Sequence, residues 1–431
     1  MNRKDPGLAS RSGFLKVVDA GAAMVSLGGV ACGAGFPGRL SVEPPRARSD
    51  EPFVVRVAGL PPGERVALTA SFDDALGQEW FATAIFEADG NGDVDTSTRT
   101  PVGGSYATED PMGLVWSALG PGLYAPPPGA SPVRIAARVG DREARREVKR
   151  FDAADGVRTE EVREDGLVGR LFSPPGTVAM PAVLVLGGSE GGLPPYVERE
   201  AALLASRGFA ALALAYFRGE YFEPDGAGGL SDTLTNIPLE YFGRAIRWLG
   251  GKEGVRGDRL GVLGTSRGGE LALLLGATYP ELRAVVSYVG SGAVVSSPEE
   301  DAPAWTLEGK PLPYVRFPEE GSSEIPQREI EAAVIAVERT NGPVLLIAAG
   351  DDALWPSERL SGVAYERLKR HDRPHDEELA VYPDAGHLLG APYAPTGDGV
   401  AQYGGTAEAN ARANEDSWSR ATRFLDGSLK R

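Results

Sequence analysis

Apolar and polar residues alternate with a period of two along the N-terminal part of the chain, from about residue 40 to residue 148. The alternation is clearest at residues 53–57, 66–72 and 133–139. It indicates strands that bury one face and expose the other. Turn-forming Pro-Pro-Gly and Asn-Gly sequences separate the strands, and no long stretch has helical periodicity. We therefore predict a small antiparallel β-sandwich over residues 39–150.

A different pattern follows a polar connector at residues 152–164. Short apolar runs alternate there with helical stripes, which we interpret as core, such as the stripe of Leu239, Phe242 and Ile246. Continuous apolar runs indicate strands that are buried on both faces, and their alternation with helices is typical of a mostly parallel sheet. We predict an α/β domain over residues 160–431. The apolar runs are residues 181–186, 210–216, 260–263, 284–289, 344–348 and 379–382.

The composition narrows the possible ligands. The chain has 431 residues, 42% hydrophobic and 24% charged, which fits two folded domains and a short leader. A formal net charge of −16 opposes binding to the phosphates of nucleic acid, which requires clustered Lys and Arg. Cys32 is the single cysteine, so the chain has no internal disulfide, no cysteine-rich zinc site and no cysteine nucleophile in either predicted domain.

Residues 1–38 resemble an export leader, in which a weakly apolar run at residues 17–31 ends at Cys32. The preceding basic segment is similar to a twin-arginine signal with Ser12 in place of the second arginine. Cys32 is similar to a lipoprotein acylation site, with Gly29 where that motif prefers leucine. The run is too short to span a bilayer. We expect export and membrane attachment through a lipid on Cys32, with a disordered tail on a cytoplasmic protein as the alternative.

The strongest chemical signal is a Gly-x-Ser-x-Gly motif centred on Ser266. An apolar strand precedes the motif and a helix-forming segment follows it, which is the context that a nucleophile elbow needs. The flanking Gly264 and Gly268 would allow the close backbone approach of such a sharp turn. The motif predicts Ser266 as a nucleophile at the carboxyl edge of an α/β-hydrolase sheet, near a helix N-terminus that favours negative charge. The alternative is an ordinary glycine-rich turn.

A serine nucleophile needs a base to take its proton and a third group to orient that base. All three histidines follow Ser266, as the chain order of this fold requires. His371 and His375 lie in a charged stretch, so we predict that both are surface residues. His387 follows an apolar strand in a loop that can reach back to the serine, and it is the predicted base. The alternative is that His387 is a structural residue of this loop.

The predicted acid is Asp352, which follows the strand at residues 344–348. Asp351 also follows this strand, and its position closer to the sheet edge makes it the alternative. The acid must extend beyond that edge to meet the imidazole, which favours Asp352.

Backbone N–H groups must also stabilise the charge of the tetrahedral intermediate. We predict the N–H of Arg267 as one donor and that of Gly188 or Ser189, in the glycine-rich loop at residues 187–192, as the other. A phosphate-binding loop is the rival interpretation. It is disfavoured because the loop lacks the lysine and hydroxyl residue of a P-loop and the GxGxxG spacing of a dinucleotide site.

Together these residues make the chain similar to the type I acyl-CoA thioesterases and bile acid-CoA:amino acid N-acyltransferases. The resemblance extends over nearly all of the chain after residue 38. It implies a β-sandwich before an α/β-hydrolase domain and a triad at Ser266, Asp352 and His387. We expect no cofactor and no metal. The segments that carry it are residues 40–45, 111–116, 208–210, 215–216, 266–271, 351–355 and 382–387.

In this family the nucleophile is serine in the thioesterases and cysteine in the acyltransferases, so the resemblance implies hydrolysis of acyl-CoA to fatty acid and CoA. An acyl ester on Ser266 can be resolved by water that His387 activates. The alternatives are a carboxylesterase, an acyltransferase to an amine, and a binding protein without catalysis. Export conflicts with an acyl-CoA substrate, since coenzyme A is found inside the cell. Lipidation of Cys32 would favour another thioester or an ester.

Overall fold

The fold is described from a computed structural model of the chain. The structure describes residues 35–176, 179–219, 229–298, 301–316, 325–397 and 399–431. Nearly all of the predicted leader, including Cys32, lies outside the described residues. Phe36–Arg431 forms one compact unit. Among the described helices, none combines the length and the apolar character needed to cross a membrane.

The N-terminal part is a two-sheet sandwich, with strand orders β1-β3-β6 and β2-β9-β8-β4-β5-β7. Its strands pair antiparallel, except that β2 runs parallel to β9. Buried and partly exposed residues alternate along β4, as period-two strands require. The predicted sandwich is confirmed. The elements are β1 (Arg39–Glu43), β2 (Arg46–Arg48), β3 (Val54–Ala58), β4 (Arg65–Asp73), β5 (Glu79–Glu87), β6 (Val94–Asp95), β7 (Gly103–Gly104), α1 (Gly113–Trp116), β8 (Ala130–Val139) and β9 (Arg142–Phe151).

The second part is built on an eight-stranded sheet of order β10-β11-β13-β12-β15-β16-β19-β20. The first two pairings are antiparallel and the others are parallel, which is the arrangement of the α/β-hydrolase fold. Three short strands, β14, β17 and β18, form a separate small sheet. The predicted fold class is confirmed. The elements are β10 (Arg158–Val162), β11 (Val168–Ser173), β12 (Met180–Leu186), α2 (Pro195–Ala205), β13 (Ala210–Ala215), β14 (Ile237–Pro238), α3 (Leu239–Gly251), β15 (Val255–Thr265), α4 (Arg267–Thr278), β16 (Leu282–Tyr288), β17 (Trp305–Leu307), β18 (Lys310–Pro311), α5 (Gln327–Ala333), a 3-10 turn (Val337–Arg339), β19 (Val344–Ala349), α6 (Ser357–Arg370), β20 (Glu377–Tyr382), α7 (Val400–Tyr403) and α8 (Ala407–Leu429).

The large sheet is covered by helices on both faces. Leu184 of β12 packs in one core cluster with residues of α3 and α4. Its neighbours Val183 and Val185 pack in another cluster with residues of α2 and α8. Successive side chains of a strand point to opposite faces, so burial on both faces explains the continuous apolar runs.

One strand lies where the sequence predicts a polar connector. β10 pairs antiparallel with β11 at the edge of the large sheet, and four of its five residues are exposed. An edge strand with little apolar burial has no hydrophobic period, so backbone pairing alone defines it.

Asp50 joins the sandwich to the hydrolase part. Its fully buried carboxylate accepts hydrogen bonds from Arg48 Nε and from Trp418 Nε1 of α8, both at 2.8 Å. Arg207, just after α2, forms an ion pair with the same carboxylate. Burial alone would raise the pKa of Asp50, but the charges of Arg207 and Arg48 outweigh it and hold the pKa below its usual value.

Replacing Asp50 with asparagine should lower the free energy of unfolding by about 3 kcal/mol, because partly buried arginines lose their counter-charge. Since the pKa of Asp50 is lower in the folded state, its stabilisation is present above about pH 4 and is lost as pH falls through the folded pKa. Urea unfolding at several pH values measures both effects. Asp155→Asn, which removes an exposed pair with Arg46, is the control and should leave stability unchanged. Equal destabilisation by both variants would contradict the prediction.

Candidate active site

Ser266 lies in the turn between β15 and α4, with φ 58° and ψ −118°. A positive φ is strained for a residue with a side chain. The Ser266 N–H donates to the carbonyl of Tyr288 at the end of β16, at 2.8 Å. A Cβ on Gly264 would lie 1.9 Å from the Gly268 oxygen, and one on Gly268 would lie 2.4 Å from the Gly187 oxygen. Only glycine fits at both positions, as an elbow requires.

The three predicted triad side chains form one hydrogen-bonded chain. His387 Nε2 lies 2.8 Å from Ser266 Oγ, and His387 Nδ1 lies 2.8 Å from Asp352 Oδ2. The side chains of His387 and Asp352 are 4% and 1% exposed. The three residues follow β15, β20 and β19, which are parallel strands, so they share the carboxyl edge of the sheet. This arrangement can remove a proton from the serine hydroxyl.

The two adjacent aspartates have different partners. Besides His387, the Asp352 carboxylate accepts hydrogen bonds from the N–H groups of Leu354 and Trp355, at 3.0 and 3.2 Å. Both of its oxygens are therefore held. The Asp351 carboxylate accepts a hydrogen bond from the Gly405 N–H at 3.0 Å. The structure thus brings Asp352 to the imidazole and uses Asp351 to hold the loop before α8.

The other two histidines lie outside this chain of hydrogen bonds. His371 is exposed at the end of α6, with Nδ1 2.8 Å from the carbonyl oxygen of Arg367. His375 is half-buried, and burial together with the charge of Arg373 lowers its pKa. Within the described ranges, no group of three or more His, Cys, Asp or Glu side chains could hold a metal ion.

The loop that carries His387 is held by α8 beneath it. The N–H groups of Gly386 and Gly390 donate to the side-chain oxygens of Asn410 and Asn414, at 2.7 and 2.9 Å. The two asparagines are one helical turn apart, so they face the same side of α8. The helix therefore fixes the height of the histidine above the sheet.

Two aromatic rings flank the imidazole of His387. The Trp355 ring lies edge-on, with centroids 6.0 Å apart, and the Tyr403 ring is stacked at 6.4 Å with an interplanar angle of 23°. Trp355 is itself held by a hydrogen bond from Nε1 to the Val289 carbonyl at 2.9 Å. These rings restrict rotation of the imidazole and shield it from water.

The glycine-rich loop after β12 adjoins Ser266, since a Cβ on Gly188 would lie 3.3 Å from Ser266 Cβ. The Tyr216 hydroxyl lies 2.7 and 2.8 Å from the carbonyl oxygens of Gly187 and Gly188, and can donate to either. Burial, with the charge of Glu190, raises the pKa of Tyr216 well above its usual value, so the hydroxyl stays a donor.

The two predicted loop donors differ in their partners. The Gly188 N–H donates to Glu190 Oε1 at 3.1 Å and to the Tyr196 hydroxyl oxygen at 3.0 Å. Tyr196 in turn donates to the Glu190 carboxylate. The Ser189 N–H makes no hydrogen bond to the described residues. Of the two, Ser189 is therefore the donor left available to a ligand.

The side chain of Arg267 forms a buried ion pair beside the elbow. Its guanidinium lies 3.0 Å from the Glu270 carboxylate, and both side chains are fully buried. Arg267 also donates to the Val295 carbonyl at 2.9 Å, while Trp305 Nε1 donates to Glu270 at 2.7 Å. Burial raises the pKa of Glu270 although Arg267 opposes this. The pair ties the first turn of α4 to the loop after β16.

Sequence reasoning identified none of these supporting contacts. Two signals were available for some of them. Arg267 and Glu270 are opposite charges three residues apart at the start of an otherwise apolar helix, and Tyr216 is a polar group at the end of an apolar strand. The first signal indicates the ion pair but not its contacts with Val295 and Trp305, and the second signal does not identify the glycine carbonyls. Each of these contacts joins residues that are at least 28 positions apart in the sequence.

Comparison with known proteins identifies the family. The sequence model described as "Acyl-CoA thioester hydrolase/BAAT N-terminal region" matches residues 50–164. The model described as "BAAT / Acyl-CoA thioester hydrolase C terminal" matches residues 237–431. Acyl-coenzyme A thioesterase 1 of Rattus norvegicus is 31% identical over 422 residues, which cover 90% of this chain and 96% of the relative. Acyl-coenzyme A amino acid N-acyltransferase 1 of Mus musculus is 30% identical over 433 residues, covering 90% and 97%.

Among solved structures, the acylaminoacyl peptidase of Pyrococcus horikoshii has a TM-score of 0.45 at 14% identity, covering 89% of this chain and 60% of that chain. The 2,6-dihydroxy-pseudo-oxynicotine hydrolase has a TM-score of 0.37 at 17% identity, covering 63% and 68%. Family models match both parts of the chain, and relatives of at least 30% identity are covered over more than nine tenths of their length. The chain therefore belongs to the acyl-CoA thioesterase and bile acid-CoA:amino acid N-acyltransferase family of enzymes.

Proposed function

We propose that this enzyme is a serine hydrolase that cleaves acyl-CoA to free fatty acid and CoA through an acyl ester on Ser266. The observation that supports this proposal most directly is the distance of 2.8 Å from His387 Nε2 to Ser266 Oγ. The thioesterases among the relatives support a thioester substrate. The serine at this position favours hydrolysis, because the family resemblance implies serine in thioesterases and cysteine in acyltransferases.

The first half-reaction transfers the acyl group to the enzyme. Ser266 Oγ attacks the thioester carbonyl carbon while His387 Nε2 takes the hydroxyl proton. The tetrahedral intermediate then collapses with cleavage of the carbon–sulfur bond, and the imidazolium returns the proton to the leaving CoA thiolate. Asp352 keeps Nδ1 protonated and stabilises the imidazolium through the 2.8 Å hydrogen bond.

The second half-reaction releases the acid. His387 takes a proton from water, and the resulting hydroxide attacks the acyl ester on Ser266. Collapse of this second intermediate breaks the ester bond, frees the fatty acid and returns the proton to the serine. The same triad serves both steps, so no further base is needed.

Two backbone donors are proposed to stabilise the oxyanion of both intermediates. The Arg267 N–H lies in the first turn of α4, where N–H groups have no partner within the helix. Ser189 supplies the second donor, because the Gly188 N–H is engaged by Glu190 and Tyr196. Tyr216 positions this loop, because its hydroxyl can donate to the carbonyl oxygens of Gly187 and Gly188.

Acyl transfer to an amine is the second candidate, because the relatives include an amino acid N-acyltransferase. Both reactions share the acyl-enzyme and differ only in the acceptor. Product analysis with and without added glycine separates them: fatty acid alone supports hydrolysis, whereas N-acylglycine as the main product supports transfer. A parallel panel of simple esters tests the carboxylesterase alternative.

Ser266→Ala should lower kcat for acyl-CoA by about 10⁴-fold or more and abolish labelling by a fluorophosphonate probe. The fold should be retained, since the hydroxyl contributes chemistry rather than packing. Asp352→Asn should lower kcat by a similar factor, because the imidazole loses the carboxylate that orients it. Steady-state kinetics and intact-protein labelling measure these effects.

Asp351→Asn is the matched control, with the same substitution one residue away and a carboxylate that faces Gly405. It should keep most of the activity. Wild-type turnover by folded Ser266→Ala would refute the mechanism. A larger loss in Asp351→Asn than in Asp352→Asn would reassign the acid.

Tyr216→Phe should lower kcat by up to about 100-fold with little change in KM, because misplacement of the loop weakens stabilisation of the oxyanion rather than binding. Tyr241→Phe is the control, since it removes a similarly buried hydroxyl that donates to the Ala215 carbonyl at 2.6 Å. Equal losses of kcat in both variants would point to general destabilisation and contradict a role for Tyr216 in positioning the loop.

We also propose, from the leader sequence alone, that Cys32 carries lipid and attaches the protein to a membrane. Export would leave the proposed triad chemistry unchanged but would replace acyl-CoA as the substrate with another thioester or an ester. One acyl chain anchors only marginally, so stable attachment requires additional chains, as in lipoproteins. Intact mass spectrometry of protein from its native host should find a chain that begins at Cys32 with added lipid. A soluble chain that retains Met1 or Asn2 and has a free Cys32 thiol would refute the proposal and favour a cytoplasmic acyl-CoA substrate.

A further inference from the structure

Three large apolar side chains are exposed on or beside the loop that follows His387. Leu388 directly follows His387 and is 41% exposed. Leu119 and Leu123, from the loop after α1 in the sandwich, are 56% and 45% exposed. Single exposed leucines are common, but a contiguous group of them marks a binding surface. We call these three residues the leucine strip.

Two glycines of the loop after His387 lie beside the three leucines. A Cβ on Gly399 would lie 2.6 Å from Leu388 Cδ1 and 3.4 Å from Leu123 Cδ2. A Cβ on Gly397 would lie 3.6 Å from Leu119 Cδ2. Leu123 and Leu388 therefore lie beside the same glycine, and Leu119 lies beside a glycine two positions before it, so the leucine strip combines residues of the sandwich with the loop between His387 and α7.

Hydrogen bonds hold both sides of the leucine strip in place. Leu119 exchanges two backbone hydrogen bonds with Phe81 of β5, at 2.9 and 3.1 Å. Across the boundary between the two parts, the Thr396 N–H donates to the Trp116 carbonyl at 3.1 Å. The surface is thus preorganised, which reduces the entropy lost when a ligand binds to it.

The leucine strip is continuous with the site through Tyr403. The Tyr403 ring is stacked on the imidazole of His387. Its Cδ2 would lie 3.3 Å from a Cβ on Gly399, so Tyr403 adjoins the same glycine as Leu388 and Leu123. His387 is hydrogen-bonded to Ser266. Apolar surface therefore extends from the imidazole to the sandwich.

We infer that the leucine strip binds the acyl chain of the substrate, so that the sandwich contributes to chain-length selectivity. This inference rests on the proposed function. The acyl chain begins at the carbon that Ser266 attacks, so its methylenes must leave along an apolar surface that adjoins the triad. Leu388 would contact the carbons nearer the thioester, and Leu123 and Leu119 the more distant ones. Covering these exposed side chains with methylene groups removes apolar area from water, which favours longer chains.

The test compares Leu119→Ser, Leu123→Ser and Leu388→Ser with the wild type, using butyryl-CoA and palmitoyl-CoA below its micellar concentration. The ratio of kcat/KM for palmitoyl-CoA to that for butyryl-CoA should fall by about four- to tenfold for each lost leucine, because only the exposed part of each leucine, about half of the side chain, is left for the acyl chain to cover. The matched control is Leu76→Ser, at a leucine that is 72% exposed on the β4–β5 turn, and its ratio should not change. Leu123→Met, which conserves volume, should restore the ratio.

Thermal melting and molar mass in solution accompany the kinetics. An unchanged ratio in all three folded variants, with hydrolysis intact, would overturn the inference and leave the proposed function standing. A wild type that hydrolyses neither thioester would overturn both. If the wild type is a dimer that the serine variants convert to monomer without a change in the ratio, the leucine strip is an interface between copies, and the inference is wrong.

Discussion

The close backbone approach around Ser266 is the constraint on which the rest of the site depends. The turn is possible only because residues 264 and 268 lack a Cβ, which would collide with carbonyl oxygens at 1.9 and 2.4 Å. In return, the serine side chain projects beyond the carboxyl edge of the sheet, and the first turn of α4 starts directly behind it. The positive φ of Ser266 is tolerated because the surrounding parallel strands and the hydrogen bond to Tyr288 hold the turn from several sides.

Around this turn, buried polar contacts hold each reactive group from behind. The asparagines of α8 hold the histidine loop, two backbone N–H groups hold the Asp352 carboxylate, and Tyr216 holds the glycine-rich loop. The Arg267–Glu270 pair fixes the start of α4. Burying a polar group without a hydrogen-bond partner costs free energy, whereas a buried network in which every group has a partner is rigid and has a well-defined geometry. The proposed chemistry therefore needs little rearrangement before substrate binds.

The sandwich is joined to the hydrolase part by more than its covalent connection. Its core cluster includes Tyr393 and Ala411, and Asp50 binds side chains from α8 and from the end of α2. These contacts place the loop after α1 beside the histidine loop, where Leu123 approaches Leu388. A sandwich attached in this way is positioned well enough to contribute to a binding surface, which is the basis for the acyl-chain inference.

The sequence by itself determined the fold class and the nucleophile motif, because both leave local signals. Period-two alternation shows which strands bury one face, continuous apolar runs show which bury two, and a Gly-x-Ser-x-Gly between strand and helix marks the elbow. Other features were decided only by tertiary structure. The polar strand β10 is defined by pairing at a sheet edge. Asp352 and Asp351 are neighbours after the same strand, so the sequence favours Asp352 only through its position, whereas the structure brings the Asp352 carboxylate to the imidazole and the Asp351 carboxylate to the Gly405 N–H. Engagement of the Gly188 N–H by Glu190 and Tyr196 likewise appears only in three dimensions. The physical reason is that burial and backbone conformation are imposed locally, whereas the pairing of a polar group depends on how the chain folds around it. The partner can be as distant as His387 is from Ser266, with a sequence separation of 121. A near neighbour such as Glu190 also becomes the partner of the Gly188 N–H only through the conformation of the folded loop.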